Sequence, residues 1–157
     1  MSLIQNINNA FDKGKQVLLV IDKANYDNIK AQLELLKYKC FDQPFLDHFA
    51  TRRPPNSKDY PLAQWRKDWQ DFKDYIIQSV TEEDKVFFSC FENRAKIATK
   101  NISCPDHLLD SIAYRLENQS TKIIVVIDYV TKKSLTDNDR LERHEFSYNW
   151  KIIYAAR

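Results

Sequence analysis

Hydrophobic residues in this chain fall into continuous blocks and into helically spaced stripes. The continuous blocks are Val17-Leu18-Leu19-Val20-Ile21, closed by Asp22, and Ile123-Ile124-Val125-Val126-Ile127, closed by Asp128. Both are far shorter than the ~20 residues of a membrane-spanning helix. The second is wholly β-branched, and such side chains lose rotamer freedom in a helix. A short block that is apolar on both alternating faces reads as a strand covered on both sides of a sheet. The two blocks, one near each end of the chain, therefore predict the centre of a single sheet.

The helical stripes are equally regular. Ile4, Ile7 and Phe11 follow Ser2, an N-cap residue, and Lys13-Gly14 stops them with glycine just past the end. Tyr26, Ile29, Leu33 and Leu36 follow Asn25, a second candidate N-cap, so that strand and helix together suggest a crossover to a parallel neighbour. Leu62, Trp65, Trp69, Phe72 and Ile76 repeat behind Pro61, which suits a first helical turn. Leu108, Leu109, Ile112, Ala113 and Leu116 follow Ser103, Pro105 and Asp106, and Asn118 ends that helix.

Lys39–Asp42 reads as a brief strand, and Val86–Phe91 as another with a partner near Arg94–Thr99. Phe146, Tyr148, Trp150, Ile152 and Tyr154 alternate with polar residues, the mark of a strand with one wet face. That strand is expected near an edge and antiparallel to the one before it. The pattern as a whole predicts an α+β (mixed α/β) fold: a single domain over 1–157, with a mixed sheet of four to six strands and three or four helices.

Composition narrows the chemistry. The chain of 157 residues contains one glycine, Gly14, where average usage of about 7% would give roughly eleven. Backbone that cradles a phosphate needs glycine, and neither GxGxxG nor GxxxxGK[ST] is present. This argues against a nucleotide-dependent enzyme and implies no cofactor. The three cysteines, Cys40, Cys90 and Cys104, are odd in number and widely spaced, which favours reduced thiols. With no membrane-length apolar run and no signal-like start, a cytoplasmic protein is expected.

Net charge is +2, and no segment is strongly of one sign: residues 1–50 are neutral, 51–75 carry +2, 76–120 carry −2 and 121–157 carry +2. This balance argues against an electrostatic nucleic-acid binder. Basic and aromatic residues do interleave at Trp65, Arg66, Lys67, Trp69, Phe72, Lys73 and Tyr75, but Asp68, Asp71 and Asp74 share the stretch and would repel phosphate. A core-facing aromatic stripe with a mixed-charge outer face is the better account.

Three constellations could carry function. Asp22 and Asp128 end the two apolar strands, where ligands of α/β sheets collect, and with Asp137 they could hold Mg²⁺ through oxygen ligands. Ile21-Asp22-Lys23-Ala24-Asn25 resembles the I-D-x-x-N opening of the NYN/PIN-like ribonucleases over one strand and one turn, and the resemblance implies a divalent-metal nuclease needing further acids at later strand ends. The plainer account is that each aspartate stops its strand and hydrogen-bonds into the next turn.

Cys104 beside a helix start, with His107 three residues on, could pair as a nucleophile, but a bare helical turn explains the same spacing. His48, His107 and His144 lack metal-ligand spacing, and no metal site is expected. The third constellation is two charged loops: Arg52, Arg53 and Tyr60 in a proline-rich stretch, and Asp137, Asp139 and Arg140 near the end. Loops mixing Arg, Asp and Tyr suit charge-complementary recognition of another protein. The functional expectation is thus a small non-catalytic protein-binding domain of the inhibitor or immunity type that blocks a partner; the alternative is the metal-dependent nuclease using Asp22, Asp128 and Asp137.

Overall fold

A computed structural model of the chain describes residues 2–41, 61–89, 91, 119–132 and 149–155. The chain opens with helix α1, Leu3–Asp12. Ser2 and Gln5 form a reciprocal capping box: Gln5 N–H donates to Ser2 Oγ at 3.2 Å and Ser2 N–H donates to Gln5 Oε1 at 2.8 Å. Gly14 closes the helix at φ +74°, a conformation that other residues adopt at a cost. Strand β1, Gln16–Ile21, follows and is buried throughout. A 3₁₀ turn, Lys23–Asn25, leads into α2, Tyr26–Leu35. Asn25 stands at the N-cap position without a side-chain cap bond; Asp22 makes the cap instead, accepting from Ala24 N–H. With no glycine after α2, Lys37 takes the left-handed backbone there, φ +72°.

Next come β2, Lys39–Phe41; α3, Leu62–Thr81; β3, Lys85–Ser89; β4, Lys122–Asp128; and β5, Trp150–Tyr154. The fold is α/β. The five strands form one sheet in the order β2-β3-β4-β1-β5, and every described pairing is parallel. The two apolar blocks are neighbours at its centre, as their composition predicts.

Two expectations are corrected. The last strand lies at an edge but runs parallel to β1, not antiparallel to β4. Its polar–apolar alternation comes from its edge position, which leaves part of the strand wet whatever its direction. The crossover through α2 does reach a parallel strand, but β2 lies three places from β1 rather than beside it.

The core has two layers. On one face, Ile7 and Ala10 of α1 and Ile29 and Leu33 of α2 pack on Val17, Leu19, Ile21, Phe87, Ile124, Val126 and Ile153. On the other, Val80 and Ile77 of α3 pack among Leu18, Val20, Val86, Phe88, Ile123, Val125, Ile127, Trp150 and Ile152. The chain moves from β1 towards the β2 edge and then back to β3. Crossovers of the same right hand therefore place α2 and α3 on opposite faces.

The outer side of α3 is the expected mixed-charge surface, with Lys67 Nζ 2.8 Å from Asp71 and Gln70 donating to Asp74. The side chains of Leu62, Trp65, Trp69, Phe72 and Ile76 lie outside what is described, as do the helix expected after Ser103, the strand near Arg94–Thr99, Cys90, Cys104 and all three histidines. Cys40 is half-buried. No helix among the described residues is long and apolar enough to cross a membrane.

Candidate functional site: strand ends and an open sheet edge

The carboxyl ends of β1 and β4 lie side by side, with Ile21 registered on Asp128. Asp22 is one residue further along, so the two aspartate Cα atoms lie about 6 Å apart, from strand spacing and rise. The chain leaves β1 towards the β2 edge and leaves β4 for β5 at the other edge, so this pair is a topological switch point, the usual ligand crevice of an open α/β sheet.

Pleating sends the two carboxylates apart. Asp128 shares the α1/α2 face with its partner Ile21, and Asp22, next in the chain, belongs to the opposite face. Each is used locally. Asp128 is buried, and its Oδ1 accepts from Thr131 N–H at 2.8 Å, capping a helical turn over 129–132. Asp22 is exposed and accepts from Ala24 N–H at 3.2 Å. Among the described residues, no group of three or more His, Cys, Asp or Glu is placed to hold a metal ion. Asp137 lies outside the described residues.

Around these ends on the α1/α2 face stand Tyr26, its hydroxyl 4.0 Å from Cys40 Sγ, and Phe91, which meets the Tyr26 ring edge-on at 5.1 Å beneath Lys23 Nζ. Ser89 Oγ, at the end of β3, is buried and has no hydrogen-bond partner among the described residues.

A second feature lies at the β5 edge. Gln16 N–H donates to Asn149 O at 2.6 Å, and Ala155 N–H donates to Val20 O at 2.9 Å. Peptide groups alternate in direction along a strand, so Lys151 and Ile153 also face β1, while the N–H and C=O of Ile152 and Tyr154 point away from the sheet. Among the described residues β5 is the last strand on this side, and there the outward groups form an open edge.

Beside that edge, on the α1 face, runs a cleft of about 470 Å³ lined by Asn6, Asn9, Ala10, Lys13, Lys15 and residues 151–154. Among the described residues three lysines and no carboxylate line it; Asp12, adjacent to Lys13, is not in the lining. Lys13, Lys15 and Lys151 make no ion pair among the described residues. Tyr154 is 51% exposed at the end of the edge, with Lys132 Nζ 5.3 Å from its ring centroid.

The residues expected to bind a partner, Arg52, Arg53, Tyr60, Asp137, Asp139 and Arg140, lie outside the described residues. Sequence reasoning did not single out Lys13, Lys15 and Lys151. Lys151 is far from Lys13 and Lys15 in the chain, and only the parallel pairing of β5 with β1 carries it to the end of α1. No protein-family model, curated protein or solved structure matches the chain. The functional reading therefore rests on geometry.

Proposed function

We propose that this chain is a non-catalytic, cytoplasmic protein-binding domain that acts by occupying a partner, in the manner of an inhibitor or immunity protein. The observation that carries this reading is the edge of β5, open among the described residues: outward peptide groups at Ile152 and Tyr154, flanked by an exposed tyrosine and by lysines that make no ion pair among the described residues. An edge of this kind is a template for another chain, and an exposed aromatic beside it supplies an anchor. The capping roles of Asp22 and Asp128 agree with it, because both carboxylates already have structural work.

The test is a photo-crosslinking amino acid placed at Tyr154 and, as control, at the exposed Asp27 of α2, in cells containing the native partner. A discrete adduct of protein size from position 154 and none from position 27 is the expected result. Equal labelling at both positions, or none at either, sinks the reading.

The nuclease reading keeps one observation in its favour: the two strand-end aspartates lie on adjacent strands. It requires Mg²⁺ or Mn²⁺ at millimolar concentration to move the carboxyl signals of both Asp22 and Asp128, and metal-dependent cleavage of a labelled RNA.

A further inference from the structure

We infer that the partner presents an extended acidic segment, which joins the sheet as a sixth strand along β5 with its carboxylates in the α1 cleft. This deepens the protein-binding reading and rests on it. Two independent features converge on it. The first is directional: the N–H and C=O of Ile152 and Tyr154 face outward, two residues apart, the repeat with which an added strand forms its main-chain bonds. The second is electrostatic: Lys13 from the end of α1, Lys15 from the turn and Lys151 from β5 line one cleft with no acid among its described lining residues.

Lys151 lies on the α1 face of β5, as Ile153 does, whereas Trp150 and Ile152 pack on the α3 face. An added strand alternates in the same way. Its acidic residues, spaced by two, would all fall on the lysine side, and the residues between them would fall on the side of Tyr154. Charge complementarity thus selects the sign of the segment and the sheet edge selects its conformation. A nucleic acid would satisfy the lysines alone and leave the outward peptide groups unpaired.

The experiment uses the whole chain and three probes: a short peptide of alternating glutamate and valine, its lysine–valine counterpart, and single-stranded oligothymidylate. Amide exchange along β5 is the readout. In the free protein, the amides of Ile153 and Ala155 are protected by β1 and those of Ile152 and Tyr154 exchange fast. The acidic peptide is expected to slow exchange at Ile152 and Tyr154, with affinity that falls as salt rises.

Lys13→Glu and Lys151→Glu should each weaken the peptide by roughly two- to fivefold, the range of exposed ion pairs. Tyr154→Pro removes an outward N–H without touching a bond to β1, so it should abolish peptide binding while the protected amides of Ile153 and Ala155 stay protected.

No protection by the acidic peptide overturns the inference. So does equal protection by the lysine peptide, or tighter binding of the oligonucleotide with Ile152 and Tyr154 unchanged. A Tyr154 adduct in cells without peptide protection overturns the acidic strand and leaves protein binding standing. Peptide protection without an adduct overturns the cellular reading and leaves the edge chemistry standing.

Discussion

The two ends of the β1–β4 pair are both closed by polar side chains, but over very different lengths of chain. At the amino end, buried Gln16 reaches across the strands: its Nε2 donates to Thr121 O at 2.9 Å, 105 residues away, and to Gln119 O at 3.4 Å, and its Oε1 accepts from Ile123 N–H at 2.8 Å. At the carboxyl end, among the described residues, Asp22 and Asp128 bond within their own segments, two and three residues on. The residues that look like a site are local caps. The glutamine, which no motif marks, is the tie between distant parts of the chain. Charge type alone is thus a poor guide to role; the sequence separation of a side chain's partners is a better one.

The largest expected effect tests that contrast at the amino end. Gln16→Ala leaves the Ile123 N–H and the Thr121 carbonyl without this partner in a dry environment, at a cost of roughly 2–3 kcal/mol. Urea unfolding measures it. A loss smaller than that of either aspartate substitution would break the comparison.

A probe outside both ends follows. Tyr38 is 5% exposed, stacked near Phe11 and under Lys85 Nζ, and burial pushes its hydroxyl from 10.0 up to about 12. A phenol whose folded-state value is raised contributes stability in full below pH 10 and loses it as pH rises through 12. The unfolded chain gives up its proton first. Stability should fall by roughly 2–3 kcal/mol across that window, since each unit is worth about 1.4 kcal/mol. Tyr38→Phe should remove most of the slope. An unchanged alkaline limb would mean that other groups govern it.

Asp128 comes next. Asp128→Ala removes a buried N-cap and should cost about 1 kcal/mol, whereas Asp128→Asn, an equally good cap, should be nearly neutral. Thermal unfolding separates the two. If Asn proves as costly as Ala, the charge itself matters, and a capping role alone is too small an account of this residue.

What could be read from sequence follows the same division between local and distant. The Ser2 cap, the Gly14 stop and the buried strands 17–21 and 123–127 were legible because each depends on neighbours or on a solid apolar block. The direction of β5 was not legible: an edge strand alternates in polarity whether it runs parallel or antiparallel, so Trp150, Ile152 and Tyr154 fit both. The order of the sheet was equally hidden, because nothing in Tyr26–Leu36 states how many strands a crossover skips. The cleft depended on both unknowns. Lys151 meets Lys13 and Lys15 only if β5 lies beside β1, so loop composition, which pointed to Arg52, Arg53, Tyr60, Asp137, Asp139 and Arg140, could not point to this cleft.

The smallest effect gives the sharpest test of the strand-end aspartates. Asp22 is exposed and its cap bond is long at 3.2 Å, so Asp22→Ala should cost about 0.5 kcal/mol, the low end for a lost cap. More telling is the pair. If Asp22 and Asp128 serve opposite faces of the sheet, the costs of Asp22→Ala and Asp128→Ala should add to within about 0.3–0.5 kcal/mol, as for sites with no shared partner. The same cycle repeated with millimolar Mg²⁺ should give the same sum. A shared ion would stabilise only the protein that keeps both carboxylates, and additivity would fail with metal but hold without it. That result would turn the carboxyl end from two local caps into one site, and would make it, like Gln16 at the other end, a link between distant parts of the chain.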